Sequence, residues 1–246
     1  MIYSKEFIYH ESISDSTTPM SDDYAADLKK GKIDRSNFDA NIHFLERSGL
    51  FNKGLRILEI GCGVGRLTSY LTQKGFNVIG FDTSITLIKE GNKLYSDVKK
   101  FLASGESIPF RDSTFDIILS FDVLEHISDV ERHLSEVNRT LKNGGLYLFQ
   151  TPNKLTNIPF EIIKRRSFTK YRKDHCSLQT FWSLKKLLNA HDFVFSFANI
   201  PIMNEFIEQK IHDVFGITGI HLLQIVNLDK LPMPLKTNFY VCARKR

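Results

Sequence analysis

The sequence predicts an α/β fold built on a doubly wound, mostly parallel sheet with helices on both faces. From residue 55 onward, short and nearly continuous apolar runs alternate with longer stretches of helical periodicity. Strands that are apolar on both sides are typical of a parallel sheet covered by helices. A glycine cluster follows the first run and a carboxylate ends the second. Both features are common where such a sheet binds a ligand at the carboxyl ends of its strands.

The first part of the sheet has five predicted strands separated by helices. Apolar runs predict strands at residues 56–60, 77–82, 100–104, 115–121 and 145–151. Helical patterns lie between them at residues 65–74, 84–95 and 128–142.

Local signals predict where these helices begin and end. Ser128 and Glu131 have the spacing of a capping box, which predicts the start of the third helix. Gly75 predicts the end of the first helix, and Gly144 and Gly145 after Asn143 predict the end of the third.

The rest of the chain continues the pattern with one helix and two strands. A helical pattern covers residues 177–190, an apolar run covers 193–200, and an aromatic-rich strand covers 238–244. No repeats or low-complexity tracts interrupt it, so one domain is the simplest organisation.

Composition excludes several classes of protein. The 246 residues are 42% hydrophobic and 25% charged, which is unlike a disordered, collagen-like or disulfide-stapled chain. The three cysteines are scattered without paired spacing, which disfavours a structural zinc site and favours a reducing compartment. We find no apolar run long enough for a membrane span and no signal-peptide pattern. The expected location is the cytoplasm.

The positive charge is concentrated in one segment. Residues 151–175 contain seven bases and two acids, an excess equal to the net charge of +5 of the whole chain. Apolar residues such as Phe160 and Phe168 lie among them. One interpretation of this basic flap (residues 151–175) is a solvated surface loop. The other is a surface that attracts an anionic substrate, a nucleic acid or an anionic membrane.

The glycine cluster has the features of a nucleotide site. Gly61, Gly63 and Gly65 alternate directly after the first strand, and a helix follows. Glycines there allow the backbone to turn sharply and approach a ligand beside a helix N-terminus. Asp82 ends the second strand 21 positions after Gly61, where a doubly wound sheet accepts hydrogen bonds from ribose hydroxyls. The G-x-G-x-G spacing differs from the dinucleotide fingerprint and from a phosphate-binding loop.

Five motifs of the chain resemble one known family, in that family's order. ILEIGCGVG, VIGFD, SGESIPF, FDIILSFDVLEHI and LKNGGLYLFQTPN are similar to the motifs of class I S-adenosylmethionine-dependent methyltransferases. The resemblance covers roughly residues 35–200, and NFYVCARK resembles the last strand of that family. It implies a Rossmann-like sheet of seven strands with the last strand antiparallel, and S-adenosylmethionine as cofactor.

The resemblance also implies a division of the chain. We expect a single methyltransferase domain over residues 1–246 with a helical N-terminal cap. Its expected parts are the cap at 1–54, a cofactor-binding half at 55–152, an acceptor-side half at 153–246, and insertions at 153–176 and 201–236.

The resemblance implies a role for each motif in binding the cofactor. The glycine turn would pack against it, Glu59 would orient its methionine end, Asp82 would hold the ribose and Thr83 would border the adenine. Phe121 and Asp122 would line the methionine portion. Ser104 stands where the family has an acidic residue facing the adenine amine, and Gly105 would supply a backbone N–H. The residues of the glycine turn in this set are Gly61, Cys62, Gly63 and Gly65.

Two histidines are candidate catalytic bases on the acceptor side. His126 lies just past the fourth strand, and His175 precedes the helix at 177–190, where family members often have a histidine facing the acceptor. A packing or surface role is the alternative for each. A base assists methylation of a hydroxyl, whereas a carboxylate acceptor does not need one.

A divalent metal is an alternative that the sequence does not favour. Asp122, Glu125 and His126 have i, i+3, i+4 spacing, which places them on one face if the chain is helical there. With His175 they would suit Mg²⁺. This set resembles metal-assisted O-methyltransferases of ubiquinone biosynthesis and of small-RNA 3′-end methylation, but the same motif occurs in relatives without a metal.

These observations predict methyl transfer to a small molecule, with a hydroxyl oxygen as the expected acceptor atom. The basic flap, together with residues 203–234, suggests an acceptor with an anionic part and an apolar part. RNA methylation is the second hypothesis; the absence of an RNA-binding module and the neutral remainder of the chain argue against it. A non-catalytic cofactor-binding protein is the third. The oligomeric state stays open.

Overall fold

The computed structural model of the protein describes residues 38–49, 54–173, 175–203 and 205–246. It contains the predicted seven-stranded sheet with helices on both faces. The strands are β1 Arg56–Ile60, β2 Asn77–Asp82, β3 Lys100–Leu102, β4 Phe115–Phe121, β5 Leu141–Pro152, β6 Phe193–Ala198 and β7 Asn238–Lys245. The described helices are α1 Phe38–Arg47, α2 Arg66–Gln73, α3 Ile85–Leu94, α4 Val130–Thr140, α5 Lys154–Arg165, α6 Phe181–Ala190 and α7 Glu205–Ile225.

The strand order explains where a ligand can bind. The order is β3-β2-β1-β4-β5-β7-β6, and β1 to β5 are parallel. The chain moves outward from β1 to β3 and then returns to place β4 on the other side of β1. This reversal opens a crevice at the carboxyl ends of β1 and β4, which is the usual binding position in open α/β sheets. As the family resemblance implied, β7 is antiparallel to its neighbours.

Alternation along the strands produces two hydrophobic cores, one on each face of the sheet. Leu58 and Ile60 belong to the core that α4 and α6 cover, whereas Ile57 belongs to the core that α1 and α2 cover. Neighbouring strand residues point to opposite faces, so a strand covered on both sides must be apolar at nearly every position. The α1 helix contributes Phe44 and Leu45 to the second core. Within the predicted N-terminal cap, residues 1–37 and 50–53 lie outside the described part.

Two local predictions about α4 are wrong. Its N-cap is Asp129, whose carboxylate accepts the backbone N–H of Arg132 at 3.0 Å, and not Ser128. The predicted glycine stop is also absent, because Leu141 turns directly into β5 and Gly144 and Gly145 lie inside that strand. Gly75, in contrast, follows α2 at a positive φ of 86°.

Several other boundaries shift by a few residues. The fifth strand begins at Leu141, before the predicted 145, and the sixth ends at Ala198, before the predicted 200. The third strand ends at Leu102, before the predicted 104, because the chain leaves the sheet to form the turn around Ser104. The helix predicted from 177 begins at Phe181, where Thr180 and Ser183 form a capping box.

In the described residues we find no helix with the length and apolar character needed to cross a bilayer.

Candidate active site

The turn after β1 requires glycine for steric reasons. Gly61, Gly63 and Gly65 have φ angles of 69°, 55° and 90°, which residues with a Cβ rarely adopt. A Cβ built on Gly61 would lie 2.3 Å from a methyl carbon of Val123, just past β4. The main chain of the turn therefore approaches the residues that follow β4 closely, and a ligand at this edge would meet bare backbone.

Asp82 connects the two loops that border the crevice. Its Oδ2 accepts the backbone N–H of Gly63 at 2.8 Å, and its Oδ1 accepts the N–H of Ser84 at 2.9 Å. A carboxylate oxygen has two lone pairs, so each oxygen keeps one that can accept a further hydroxyl. Burial raises the pKa of Asp82, and the hydrogen bonds from the main chain oppose this shift. Thr83, between Asp82 and Ser84, is half-buried.

Glu59 and Cys62 lie beneath the glycine turn. Glu59 is buried, accepts the hydroxyl of Thr68, and has its pKa raised by burial to about 7. The side chain of Cys62 packs on Gly80 of β2, where an added Cβ would lie 2.7 Å from the Cβ of Cys62. Burial raises the pKa of the Cys62 thiol and keeps it neutral. A contact between Cys62 and a ligand would therefore come from its main chain.

The loop after β3 lies beside Asp82. The N–H of Ala103 donates to the carbonyl of Asp82 at 3.0 Å. The hydroxyl oxygen of Ser104 accepts the N–H of Glu106 at 3.2 Å, and the carbonyl of Gly105 is 2.9 Å from His133 Nδ1.

The end of β4 brings Phe121 and Asp122 to the same edge of the sheet. Phe121 is half-buried and contacts Phe44 of α1. Asp122 has a positive φ of 54° and donates its N–H to Gln150 Oε1 at 2.9 Å. The residue as a whole is exposed, but the protein atoms around its carboxyl group desolvate that group and raise its pKa.

The two predicted catalytic histidines lie together. The rings of His126 and His175 are 5.2 Å apart between centroids, and His126 Nε2 is 4.0 Å from a carboxylate oxygen of buried Glu125. Burial raises the pKa of Glu125, and the nearby Asp122 raises it further. His175 Nδ1 lies 3.1 Å from Asn157 Oδ1 on α5. Residues far apart in sequence thus form one polar cluster of Glu125, His126 and His175.

The chain matches one family of known proteins over most of its length. A family described as a methyltransferase domain matches residues 32–195, which include the glycine turn, Asp82 and the polar cluster. The chain belongs to this family of methyltransferases. This assignment agrees with the methyltransferase motifs in the sequence.

Curated relatives match the methyltransferase over part of its length. The chain is 38% identical over 112 residues to a ubiquinone biosynthesis O-methyltransferase from Chelativorans sp., covering 42% of each chain. A protein of the same name from Brucella ovis is 36% identical over 107 residues, covering 42% of this chain and 43% of the relative. The alignment therefore spans less than half of these relatives.

Solved structures share the fold at low sequence identity. A Haloferax volcanii methyltransferase in complex with the Trm112 methyltransferase activator has a TM-score of 0.70 at 14% identity, covering 95% of this chain and 99% of that one. Phosphoethanolamine N-methyltransferase 2 of Haemonchus contortus with S-adenosylmethionine has a TM-score of 0.54 at 17% identity, covering 85% of this chain and 52% of that one.

The polar cluster of the methyltransferase could hold a divalent ion, with ligands that differ from the predicted set. The ligand atoms of Glu125, His126 and His175 all lie within 4.8 Å of one another, and Asp122 is not a member of this group. Asp122 does not share a helical face with Glu125 and His126. It has a left-handed φ and lies before a single 3-10 turn, so the chain is not an α-helix there. Two imidazoles and one carboxylate suit Mn²⁺, Fe²⁺ or Zn²⁺ better than Mg²⁺, the ion considered for the larger set.

Two further residues, which the sequence did not indicate, contact the candidate site. Lys210 of α7 lies 5.1 Å from the ring centroid of Phe160, and its charge interacts with Asp122. Burial lowers the pKa of Lys210, and the like charge of Lys164 lowers it further. Asn157 orients His175. No motif surrounds Lys210 within residues 203–234, so the sequence does not single it out.

The raised pKa of Glu59 predicts a pH-dependent stability. Between pH 4.5 and about 7 the folded methyltransferase binds a proton at Glu59 that the unfolded chain has released. The contribution of Glu59 to the free energy of unfolding therefore falls as the pH rises through this window and is level above it. In Glu59→Gln this contribution is absent. Urea denaturation at several pH values measures it, and equal pH slopes for the variant and the wild type would refute the assignment.

Proposed function

We propose that this methyltransferase transfers a methyl group to a hydroxyl oxygen of a small acceptor that carries an anionic group. The observation that carries the proposal is the polar cluster of Glu125, His126 and His175 at the edge of the sheet beside the glycine turn. A hydroxyl acceptor benefits from a nearby base, and this cluster supplies two imidazoles. The relatives named as O-methyltransferases support the same choice of acceptor atom.

We assign the cofactor contacts to the crevice between β1 and β4. The main chain of the glycine turn lies against the methionine portion, together with Phe121 and Asp122, and Glu59 orients the methionine end from below. The free lone pairs of Asp82 accept the ribose hydroxyls, as described above. Thr83, Ser104 and Gly105 border the adenine. The residues of the glycine turn in this assignment are Gly61, Cys62, Gly63 and Gly65.

The chain's own residues would position the acceptor and move its proton. Bound S-adenosylmethionine supplies an electrophilic methyl group, so holding the hydroxyl in line with it supplies much of the catalysis. His126 or His175 accepts the hydroxyl proton. Asn157 Oδ1 accepts the Nδ1–H of His175, which leaves Nε2 as the acceptor nitrogen of that ring. An ion held by the cluster would instead lower the pKa of the bound hydroxyl.

Lys210 supports an anionic acceptor more directly than the basic flap as a whole. Lys210 is half-buried and its charge interacts with Asp122 at the edge of the crevice. Arg165 of the flap, in contrast, donates to buried Glu161 at 2.6 Å, and Lys164 is 3.8 Å from the same carboxylate. Two of the seven flap bases are therefore matched within α5. Arg166 and Lys170 are exposed and add a longer-range attraction.

The acceptor class is tested by labelling. A cell extract incubated with the protein and with S-adenosylmethionine carrying a labelled methyl group is expected to yield a labelled small hydroxylated acid. Label recovered in RNA or on an amine would contradict the proposal. A parallel reaction with a chelator separates the two roles of the polar cluster. Loss of activity that Mn²⁺ restores indicates a bound ion, and unchanged activity indicates proton transfer by the histidines.

Once the acceptor is identified, Lys210→Met is expected to raise the KM for it about tenfold and to leave kcat within about twofold. The reason is that the variant loses an interaction that binds the acceptor equally in the ground state and in the transition state. Lys186→Met, an exposed position on α6 with the same charge change, serves as the matched control. For an ester of the acceptor, the KM should be the same in Lys210→Met and Lys186→Met. A KM unchanged in Lys210→Met would refute the role of Lys210.

A further inference from the structure

A row of buried polar side chains crosses the core from β4 to the loop after β3. Ser120 Oγ and the Tyr147 hydroxyl are 2.7 Å apart, and the Tyr147 hydroxyl is 3.1 Å from His133 Nε2. His133 Nδ1 then lies 2.9 Å from the carbonyl oxygen of Gly105. Ser120, His133 and Tyr147 have no measurable exposure to solvent. Such groups are costly to bury unless every partner is satisfied, so the row must be internally consistent.

Only one arrangement of protons satisfies the whole row. A carbonyl can only accept, so Nδ1 of His133 carries the hydrogen that is donated to Gly105. Nε2 then accepts from the Tyr147 hydroxyl, whose oxygen accepts from Ser120. Burial lowers the pKa of His133 to about 4, so the ring stays neutral and keeps this tautomer at neutral pH.

The row ends on a peptide unit that is held at both of its polar atoms. The carbonyl of Gly105 accepts from His133, and the N–H of Glu106 in the same peptide unit donates to Ser104 Oγ at 3.2 Å. A peptide unit is planar, so two bonds on opposite sides fix its rotation. The close contact also explains the glycine, because a Cβ on Gly105 would lie 2.9 Å from His133 Nδ1.

We propose that His133 is a positioning residue for the adenine ring of the cofactor. By fixing the Gly105–Glu106 peptide plane, it holds the Glu106 N–H on Ser104 Oγ and so fixes the position of the Ser104 hydroxyl beside the base. The N–H of Gly105 lies in the preceding peptide unit and is constrained through Gly105 itself. This inference rests on the proposed assignment of Ser104 and Gly105 to the adenine contact. It gives a function to a histidine that has no motif context in the sequence.

Other contacts attach the same loop to α4 and do not depend on His133. Glu106 Oε1 accepts the N–H groups of Ser128 and Asp129 at 2.8 and 2.9 Å. Glu136 accepts the N–H of Ile108 at 2.8 Å. Removing the imidazole should therefore leave the loop in place and free only the peptide plane.

Three variants separate positioning from general packing. His133→Leu removes the donor to Gly105 and retains an apolar side chain, and Tyr147 can still donate to Ser120. His133→Asn keeps an amide donor near the position of Nδ1. Tyr147→Phe removes the far partner. For each variant, calorimetry measures the Kd of S-adenosylhomocysteine and of its inosine analogue, in which a keto oxygen replaces the adenine amine. Thermal denaturation measures Tm alongside.

The expected result is a loss of discrimination between the two ligands. In His133→Leu the Kd of S-adenosylhomocysteine should rise about tenfold, which is the scale of one hydrogen bond to a fixed partner. The Kd of the inosine analogue should stay within about twofold of its wild-type value. His133→Asn should retain most of the wild-type preference. An equal loss for both ligands, or a lower Tm with unchanged Kd values, would overturn the proposal and assign His133 to packing. A wild-type protein that binds both ligands equally would instead refute the adenine contact of the proposed function.

Discussion

Replacing Asp82 with alanine is expected to abolish measurable binding of S-adenosylmethionine. In the proposed assignment the carboxylate offers two acceptor lone pairs to the ribose, and it also accepts the N–H groups of Gly63 and Ser84. Each hydrogen bond to a charged group contributes about 1.5–3 kcal/mol, so losing both ribose contacts should weaken binding by more than about 100-fold. The two loops also lose their common anchor. Isothermal titration with S-adenosylmethionine measures the loss.

The control for this variant is Asp97→Ala, which removes an exposed carboxylate just before β3. It should bind the cofactor like the wild type. A Kd for Asp82→Ala within about threefold of the wild-type value would place the ribose elsewhere and refute the assigned site.

Gly61→Ala is expected to have the second large effect, on both stability and cofactor binding. The added methyl group would lie 2.3 Å from Val123 Cγ2, and the backbone there has a φ of 69°. Strain and a steric clash in a packed turn together should cost about 3–4 kcal/mol of unfolding free energy. Relief of the clash requires the turn to move away from β4 or Val123 to rotate out of the contact, and a displaced turn should also weaken binding of S-adenosylmethionine. Urea denaturation and titration measure the two effects.

Two further variants separate the clash from the strain. Gly144 has a similar φ of 74° but nothing within 4 Å of an added Cβ, so Gly144→Ala should cost only about 1 kcal/mol. The double variant of Gly61→Ala with Val123→Ala removes the clash and should recover most of the cofactor affinity. Equal losses in Gly61→Ala and Gly144→Ala would show that the approach to Val123 is unimportant.

The sequence predicts the parts of this structure that depend on neighbouring residues. Apolar runs identified the strands because a doubly covered sheet needs apolar side chains on both faces. The glycine turn and Asp82 were found because their spacing along the chain is short and regular. The start of α4 was assigned to Ser128 because Ser128 and Glu131 have the spacing of a capping box. In the structure Asp129 caps the helix instead, and Glu106 of another loop accepts the N–H groups of both Ser128 and Asp129.

The missed residues act through distant contacts. His133 meets Gly105 across 28 positions and Asn157 meets His175 across 18, and neither pairing follows a periodic pattern. Asp122 was placed on a helical face with Glu125 because the spacing fits a helix. The left-handed backbone at Asp122 breaks that relation. Geometry of this kind follows from tertiary packing, which a single sequence does not encode in short-range signals.

The position of β7 sets the order in which the sheet can be completed in the cell. This strand lies between β5 and β6 and pairs with both, although it is translated after them. Among the described strands β6 pairs with β7 alone, so a ribosome that has just produced β6 has made a strand whose partner does not yet exist. Unpaired strand edges invite association between nascent chains, so protection by a chaperone is most valuable during this interval. Overexpression without such help should favour inclusion bodies.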